Sequence, residues 1–361
     1  MITVERDLSP TGAALGAPQS EPTATPDLPL VSVVIPMLDE IHHIGPCVQG
    51  FLDQSYPAEL IEVLVVDGGS TDGSREVVEA LAADCPRIRL LDNPRRLAAA
   101  AANIGLAGSR GDVLCYLSAH GVPAVDYVAN SVRLLEETGA VGVGGRYEHE
   151  GTDRRSRAIG WAMASPFGMA SPHRSSDSRV EVDTISHPTF RKAPMVAAGG
   201  YDETLLRNED YEFNYRLRQN GGRLVFCPEI SSVYRPRGSL RALGRQFFAY
   251  GRWKATVMRR HPRSIRARHL VPPVAVAGGI VLAAASVAGH GRRLAAGSAL
   301  AYLGVVVTAV VRTRPGRRDG SPLVFAAALP TMHASWGAGV LTGLVRDLVS
   351  GRGRRRDSAA P

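Results

Sequence analysis

Four short segments hold the residues best suited to chemistry. Three directly follow apolar runs: Pro36–Glu40 (PMLDE), Asp67–Ser74 (DGGSTDGS) and Ser118–His120 (SAH). The fourth, Asn208–Asp210, opens an amphipathic stretch closed by Asn220-Gly221. Asp67, at a strand end, is placed to accept a hydrogen bond from a heterocyclic N–H, and Gly68, Gly69 and Ser70 let a backbone approach a ligand closely. The same residues also suit a plain turn with a helix cap. Asn208 is expected to cap a helix whose first turn holds Glu209 and Asp210, where the helix dipole keeps a carboxylate ionised. Phe213 and Leu217, at i+3 and i+7, share the side of Asp210. Taken alone, this pair is a capping device as readily as a base. Two nucleotide sites are excluded: no GxGxxG is present, and both lysines, Lys192 and Lys254, follow a non-glycine residue, which rules out a Walker A loop.

The elements that position these segments alternate. Leu30–Leu38 reads as a buried strand, followed by Ile41, Ile44, Val48, Phe51 and Leu52 at helical spacing. Ile61–Asp67 is a second strand and Ser74–Asp84 a helix with Ser74 at its cap. Ile88–Leu91, an Ala-rich helix around Leu97–Ser109 and the strand Asp112–Leu117 continue the order. A βαβαβ order predicts a parallel sheet with ligands at the carboxyl ends of its strands, where the first three segments fall.

Charge divides the chain. Residues 29–234 carry 19 Lys/Arg against 27 Asp/Glu, whereas residues 235–361 carry 22 against 3. An acidic body followed by an Arg-rich apolar tail fits a phospholipid surface better than nucleic acid. Arg241, Arg245, Arg252 and Arg259 share one helical stripe, with Leu240, Leu243, Phe247, Tyr250 and Val257 opposite, as in an interfacial helix. A basic solvated face with its apolar side on the body is the alternative. Three apolar stretches come next, 270–288, 294–311 and 323–345, each long enough for a bilayer. Three spans would put the basic tail outside, against the positive-inside rule, while two spans plus a re-entrant or interfacial third segment would keep it inside. The four cysteines are too scattered for a zinc site or a disulfide framework, and residues 1–28 read as a disordered leader.

Taken together, VSVVIPMLDE, VLVVDGGSTDGS, GDVLCYLSAH and RNEDYEFNYRLRQNGG resemble the family 2 glycosyltransferases over roughly residues 30–235. These are inverting enzymes with a Rossmann-like, nucleotide-sugar-binding GT-A fold. Within the family the chain is most similar to bacterial exopolysaccharide enzymes of the succinoglycan glucosyltransferase type, through SAHGVP, SPFGM, the VDT and TFR stretch, RNEDYEFNYRLR and RQFFAYGRWK. The resemblance implies an α/β GT-A domain over residues 29–235; the charge and hydropathy pattern adds a basic amphipathic helix over 236–268 and a membrane region with two or three apolar segments, expected as transmembrane helices, and a basic tail over 269–361.

The resemblance also assigns roles. Pro36, Asp39, Glu40, Asp67, Gly69 and Ser70 would meet the nucleoside, with Asp39 where the family usually has Asn. Asp92 and Asn103 would line the donor pocket, and Arg95 and Arg96 either approach the diphosphate or stay solvated. The family carries DxD or DxH where this chain has Ser118-Ala119-His120, so His120 would bind a divalent ion, Mn²⁺ or Mg²⁺, while Ser118 would meet the donor with only a hydroxyl. Asp210 would be the general base, Glu209 its support, and Arg216 and Arg218 partners of nearby carboxylates. His187, Phe190-Arg191, Trp161 and Phe167 would bound the acceptor pocket, the two last being equally suited to a core. Gln246 and Arg252-Trp253 resemble the QxxRW element of cellulose and hyaluronan synthases, with a different spacing.

The expected activity is transfer of glucose from UDP-glucose to a polyprenyl-linked glycan, by a multi-pass protein of the plasma (inner) membrane whose catalytic domain is cytoplasmic. A catalytically impaired scaffold or nucleotide-sugar-binding subunit is the alternative, motivated by Ser118. No nucleic-acid partner is expected.

Overall fold

The computed structural model describes residues 28–168, 176–235 and 238–349. The leader up to residue 27, Met169 of the SPFGM stretch and the basic tail from residue 350 lie outside the described residues. The strand and helix order begins β1 (Val31–Met37), α1 (Ile44–Leu52), β2 (Ile61–Asp67), α2 (Ser74–Asp84), β3 (Ile88–Asp92), α3 (Ala98–Gly108), β4 (Val113–Tyr116). These bounds match the expected ones within one residue, because each strand is a continuous apolar run, except that α1 begins at Ile44, three residues after the first position of its expected spacing, Ile41, which lies in a turn.

Alternate residues of β1 and β2 enter two cores on opposite faces of the sheet. Val33, Ile35, Val63 and Val65 pack with α1 and α2 on one face, and Val34, Leu64 and Val66 with the alanines of α3 on the other. Gly105 of α3 lets that helix lie against Val34, since a Cβ there would overlap the valine methyls. Pro36, which has no N–H to give, sits where β1 has run past the end of its register with β4.

Beyond β4 come β5 (Gly121–Pro123), α4 (Tyr127–Thr138), β6 (Gly142–His149), α5 (Arg154–Ala164), β7 (Val180–Glu181), β8 (Thr189–Arg191), α6 (Lys192–Ala197), α7 (Glu209–Gln219) and β9 (Leu224–Tyr234). The strand order is β3-β2-β1-β4-β8-β6-β9-β5, with β7 on β9. The first four strands are parallel as expected, whereas β8 lies antiparallel between β4 and β6. Phe190 is consequently core, against Phe213 and Tyr116, and Arg191 donates to the Leu135 and Ala140 carbonyls at the end of α4, so neither faces an acceptor.

The C-terminal part comprises α8 (Leu240–Arg260), α9 (Ala267–Val287), α10 (Arg292–Thr313) and α11 (Pro322–Val349). The last three are long and apolar enough to cross a membrane. Their surroundings differ. α9 and α10 expose Val274, Ile280, Val281, Leu294, Leu300 and Val307 among others, while α11 buries Phe325, Leu329, Met332 and Val340. It runs parallel to α8 along much of its length. Gly244 faces Thr331 and Ser335, Gly251 faces Trp336 and Val340, and Gly343 faces Arg252 and Ala255. At Gly251, Gly339 and Gly343 a Cβ would collide with the backbone of the other helix, so glycines on both helices set this approach. The apolar face expected to lie in the membrane is thus covered by protein: Leu243 and Phe247 pack on Ile159, Met163, Phe325 and Met332. Arg241 and Arg245 remain exposed on the opposite side. Trp161 and Phe167 join this cluster, as the core alternative held.

Candidate active site

The first two loops are tied into one unit. Asp67, at the end of β2, has a fully buried side chain. Its Oδ1 accepts from the Ser70 N–H at 3.0 Å and the Ser70 hydroxyl at 2.6 Å, and Arg75 reaches Oδ2 at 3.2 Å. Ser70 Oγ in turn accepts the Asp39 N–H at 2.9 Å, and Asp39 Oδ1 accepts the Thr71 N–H at 2.8 Å. Asp39 holds a left-handed conformation (φ 53°), which Asn and Asp tolerate better than most residues and which explains why an aspartate serves at this position. Gly69 is also left-handed (φ 79°) and borders open space. Asp92 is exposed and pairs with Arg75 at 2.8 Å, placing its carboxylate on the rim of this unit. Ser74 is the first residue of α2, not its cap, which is Gly73; its hydroxyl binds Asp72 and accepts the Glu40 N–H at 2.7 Å.

Asn103 is fully engaged elsewhere. Its amide donates to the Tyr201 carbonyl (2.9 Å) and Glu203 (2.8 Å) and accepts the Tyr201 N–H (2.7 Å), so it anchors the turn leading towards α7. Arg95 pairs with Glu203 of the same turn.

After β4 the chain turns tightly, with the Gly121 N–H on the Ser118 carbonyl at 2.8 Å. Ser118 Oγ is buried without a hydrogen-bond partner among the described residues, in a region where such atoms are normally satisfied. His120 Nδ1 lies 3.3 Å from Glu40 Oε1, and His43 Nδ1 lies 3.0 Å from Oε2. Burial opposes ionisation of Glu40, but the hydrogen bonds and charge of His120 and His43 prevail and hold its carboxyl below the usual range. The His120 ring meets Tyr234, which packs on Tyr147 (5.3 Å) and His149 (5.6 Å), and Tyr147 packs on His187 (4.4 Å). This aromatic wall was not singled out from the sequence, apart from His187. The parallel pairing of β6 with β9, which aligns Tyr147 with Ser232 and His149 with Tyr234, assembles it from residues far apart in the chain.

At α7, Asn208 does not cap. It is left-handed (φ 62°), and its side-chain amide donates to the Tyr250 carbonyl of α8 at 3.0 Å. Phe213 and Leu217 are buried as expected, and Asp210 is exposed. Burial and the adjacent Asp210 charge push Glu209 up to about 7, and its Oε2 is buried with no hydrogen-bond partner among the described residues. Arg216 forks onto Glu212 at 2.7 and 2.9 Å, while Arg218 lies over the Tyr215 ring. Burial and then the Tyr234 hydroxyl raise Tyr250, with Asp210 acting in the same sense. Lys254 of α8 is buried with Nζ 2.8 Å above the Tyr211 ring; burial pushes its ammonium well down, against the pull of Asp183 and Asp210.

No group of three or more metal-ligating side chains exists among the described residues. The donor set still fits one kind of ion. His120 Nε2 has no hydrogen-bond partner among the described residues, and a single imidazole suits a divalent cation that takes its other ligands from diphosphate oxygens and water.

Comparison with known proteins converges on one family. Residues 32–194 match Glycosyl transferase family 2. The succinoglycan biosynthesis protein ExoA of Rhizobium meliloti is 34% identical over 317 residues, covering 85% of this chain and 92% of that protein. The dolichyl N-acetyl-alpha-D-glucosaminyl phosphate 3-beta-D-2,3-diacetamido-2,3-dideoxy-beta-D-glucuronosyltransferase of Methanococcus voltae is 26% identical, covering 64% of this chain and 74% of that one. Among solved structures, a mannosyltransferase of Pyrobaculum calidifontis in complex with GDP-Man and Mn²⁺ shares the fold, with a TM-score of 0.57 at 19% identity over 88% of this chain and 87% of that one. With a GT-A-like sheet, an acidic pair opening α7 and a relative of this identity and coverage, the chain belongs to the family 2 glycosyltransferases.

Proposed function

We propose that this glycosyltransferase moves glucose from UDP-glucose to a polyprenyl-linked glycan in exopolysaccharide assembly, with inversion, on the cytoplasmic face of the plasma membrane. Similarity to a succinoglycan biosynthesis protein along nearly its whole length supports the pathway class. The observation that supports the chemistry is exposed Asp210 in the first turn of α7, whose start is tied to α8 by the Asn208 amide on the Tyr250 carbonyl.

Asp67, Asp39 and Ser70 form a preorganised floor for the nucleoside, with Pro36, Glu40 and Gly69 at its edge and Asp92 on its rim. Asn103 acts at one remove, by fixing the Tyr201 turn. Asp210 takes the proton of the acceptor hydroxyl as its oxygen bonds to the anomeric carbon; the bond from that carbon to the diphosphate breaks, and the nucleoside diphosphate leaves. A general base of this kind contributes on the order of 10²–10⁴-fold. A divalent ion, when bound at His120, supplies charge neutralisation of the diphosphate. Glu209, its carboxyl pushed up to about 7, is partly protonated near neutral pH, which lessens the negative charge beside Asp210.

For the membrane we propose that α9 and α10 cross as a hairpin, and that α11 lies along α8 at the cytoplasmic surface. Their unequal burial supports this reading, which also returns the basic tail to the inside. Release of UDP from UDP-glucose, measured in membranes containing lipid-linked glycans, tests the function: Asp210→Asn is expected to abolish release while sparing UDP binding. Turnover retained in that variant removes Asp210 as the base; no turnover in the wild type with tight UDP binding supports the scaffold alternative.

A further inference from the structure

The loss of a carboxylate at position 118 raises the question of what orients His120. A carboxylate oxygen is an acceptor, so the 3.3 Å contact is made by an Nδ1–H of His120 and leaves Nε2 as the ring atom open to a ligand. Glu40 itself is held from several sides. Its N–H is bound by Ser74 Oγ at 2.7 Å, its carbonyl accepts the His43 and Ile44 N–H groups at 2.9 Å each, and its other carboxylate oxygen is occupied by His43. The carboxylate is thus fixed by the start of α1 and α2 before any ligand arrives. Histidines that bind metals usually donate their second ring N–H to such a group, which fixes the tautomer and raises the basicity of the ligating nitrogen.

We propose that Glu40 is a positioning residue for His120. Its carboxylate holds the imidazole in the Nδ1-protonated tautomer, so that Nε2 is the single protein donor to the divalent cation beside the diphosphate. In this way the first loop supplies the acidic group that the Ser118-Ala119-His120 triplet lacks. The inference rests on the reading in which His120 meets that cation, and it adds to Glu40 a duty distinct from contact with the nucleoside.

The test uses the full-length protein in detergent with Mn²⁺ and UDP as the probe. Mn²⁺ affinity is read from the free-ion electron paramagnetic resonance signal, and nitrogen ligation from pulsed spectra of the bound ion. UDP affinity without metal is measured in parallel, to isolate any loss of nucleoside contact. His120→Ala is expected to lose the nitrogen signature. Glu40→Ala is expected to weaken Mn²⁺ binding about 10- to 100-fold beyond any change in metal-free UDP binding. Glu40→Gln, which keeps the side-chain shape and one acceptor oxygen, is expected to fall between that variant and the wild type. Wild-type Mn²⁺ affinity and nitrogen signal in both Glu40 variants, with loss only in His120→Ala, overturns the inference and leaves the metal reading intact. Unchanged Mn²⁺ binding in His120→Ala overturns both.

Discussion

Glu209 makes the native protein less stable as pH rises, and the size of the effect can be worked out from its surroundings. Burial, then the neighbouring Asp210 charge, moves its carboxyl from 4.5 to about 7 in the folded chain. At ~1.4 kcal/mol per pH unit, that displacement corresponds to roughly 3 kcal/mol. The sign comes from linkage: a carboxyl raised on folding binds its proton more tightly in the native state. The protonated native form is therefore favoured at low pH, and stability falls between the unfolded value near 4.5 and the folded value near 7, with no further loss above. Glu209→Gln resembles the protonated acid and removes this slope. Melting of wild type and variant in the same detergent from pH 4.5 to 8 is the assay. A kcal/mol shifts the midpoint by about 2–4 °C in a domain of this size, so the variant should melt up to ~6–12 °C higher at pH 8 and coincide with the wild type near pH 4.5. Asp210→Asn removes the second cause and should shrink the wild-type slope. A gap between wild type and Glu209→Gln that is the same at every pH would refute the reasoning.

Three further outcomes are expected. Ser118→Ala should leave the melting temperature unchanged or slightly raised, because the hydroxyl it removes is buried and unsatisfied; if that hydroxyl meets the donor, UDP binding titrations should show weaker affinity in the same variant. Gly251→Ala should cost about 1–3 kcal/mol, seen as a lower melting temperature, since its methyl would enter the Trp336 backbone of α11; an unchanged melt would contradict the close approach of the two helices. Single cysteines replacing His290 and Ser358, probed with a membrane-impermeant thiol reagent in intact cells on a background free of native cysteines, should be labelled at the first position only, whereas labelling at the second would indicate three spans.

The parallel half of the sheet was legible because its signal is local: apolar runs of strand length alternate with amphipathic or Ala-rich helices, and loop chemistry comes after each strand. The places of Asp67 at a strand end and of Glu209 and Asp210 in the first turn of a helix were legible for the same reason. The rest depends on contacts between distant segments. Nothing in Thr189–Arg191 announces that three residues will enter the sheet antiparallel between β4 and β6, yet this insertion takes Phe190 and Arg191 out of the site. The helical stripe of α8 was read correctly as amphipathic, but periodicity does not say what covers an apolar face; here the cover is α5 and α11. Asn208 has the right type and place for a cap, and its side chain is instead drawn to an α8 carbonyl forty-two residues away.

Residue 235 is therefore a boundary of composition and not of mechanism. The first turn of α7, which carries Asp210, is held chiefly by residues on the C-terminal side of that boundary. Asn208 is bound to the Tyr250 carbonyl, the Tyr211 ring lies under Lys254, the Tyr211 hydroxyl donates to the Ser264 carbonyl at 2.8 Å, and Glu212 accepts from His261 at 3.0 Å. Arg260 adds an ion pair to Asp202, on the turn that Asn103 anchors. Apart from exposed Arg260, these groups are partly or wholly buried, and a buried polar group left unpaired costs on the order of 1–3 kcal/mol. A shift of α8 would thus be felt at the proposed base before it was felt in the proposed nucleoside floor, whose bonds run within residues 37–93. α8 is in turn locked to α11 by glycines on both helices and continues through residues 261–266 into α9. The helices expected to meet lipid and the carboxylate expected to activate the acceptor therefore belong to one mechanical unit, separate from the loops proposed to take the donor. On the proposed reading, in which the acceptor arrives in the membrane and the donor from water, an enzyme has reason to be divided along that line.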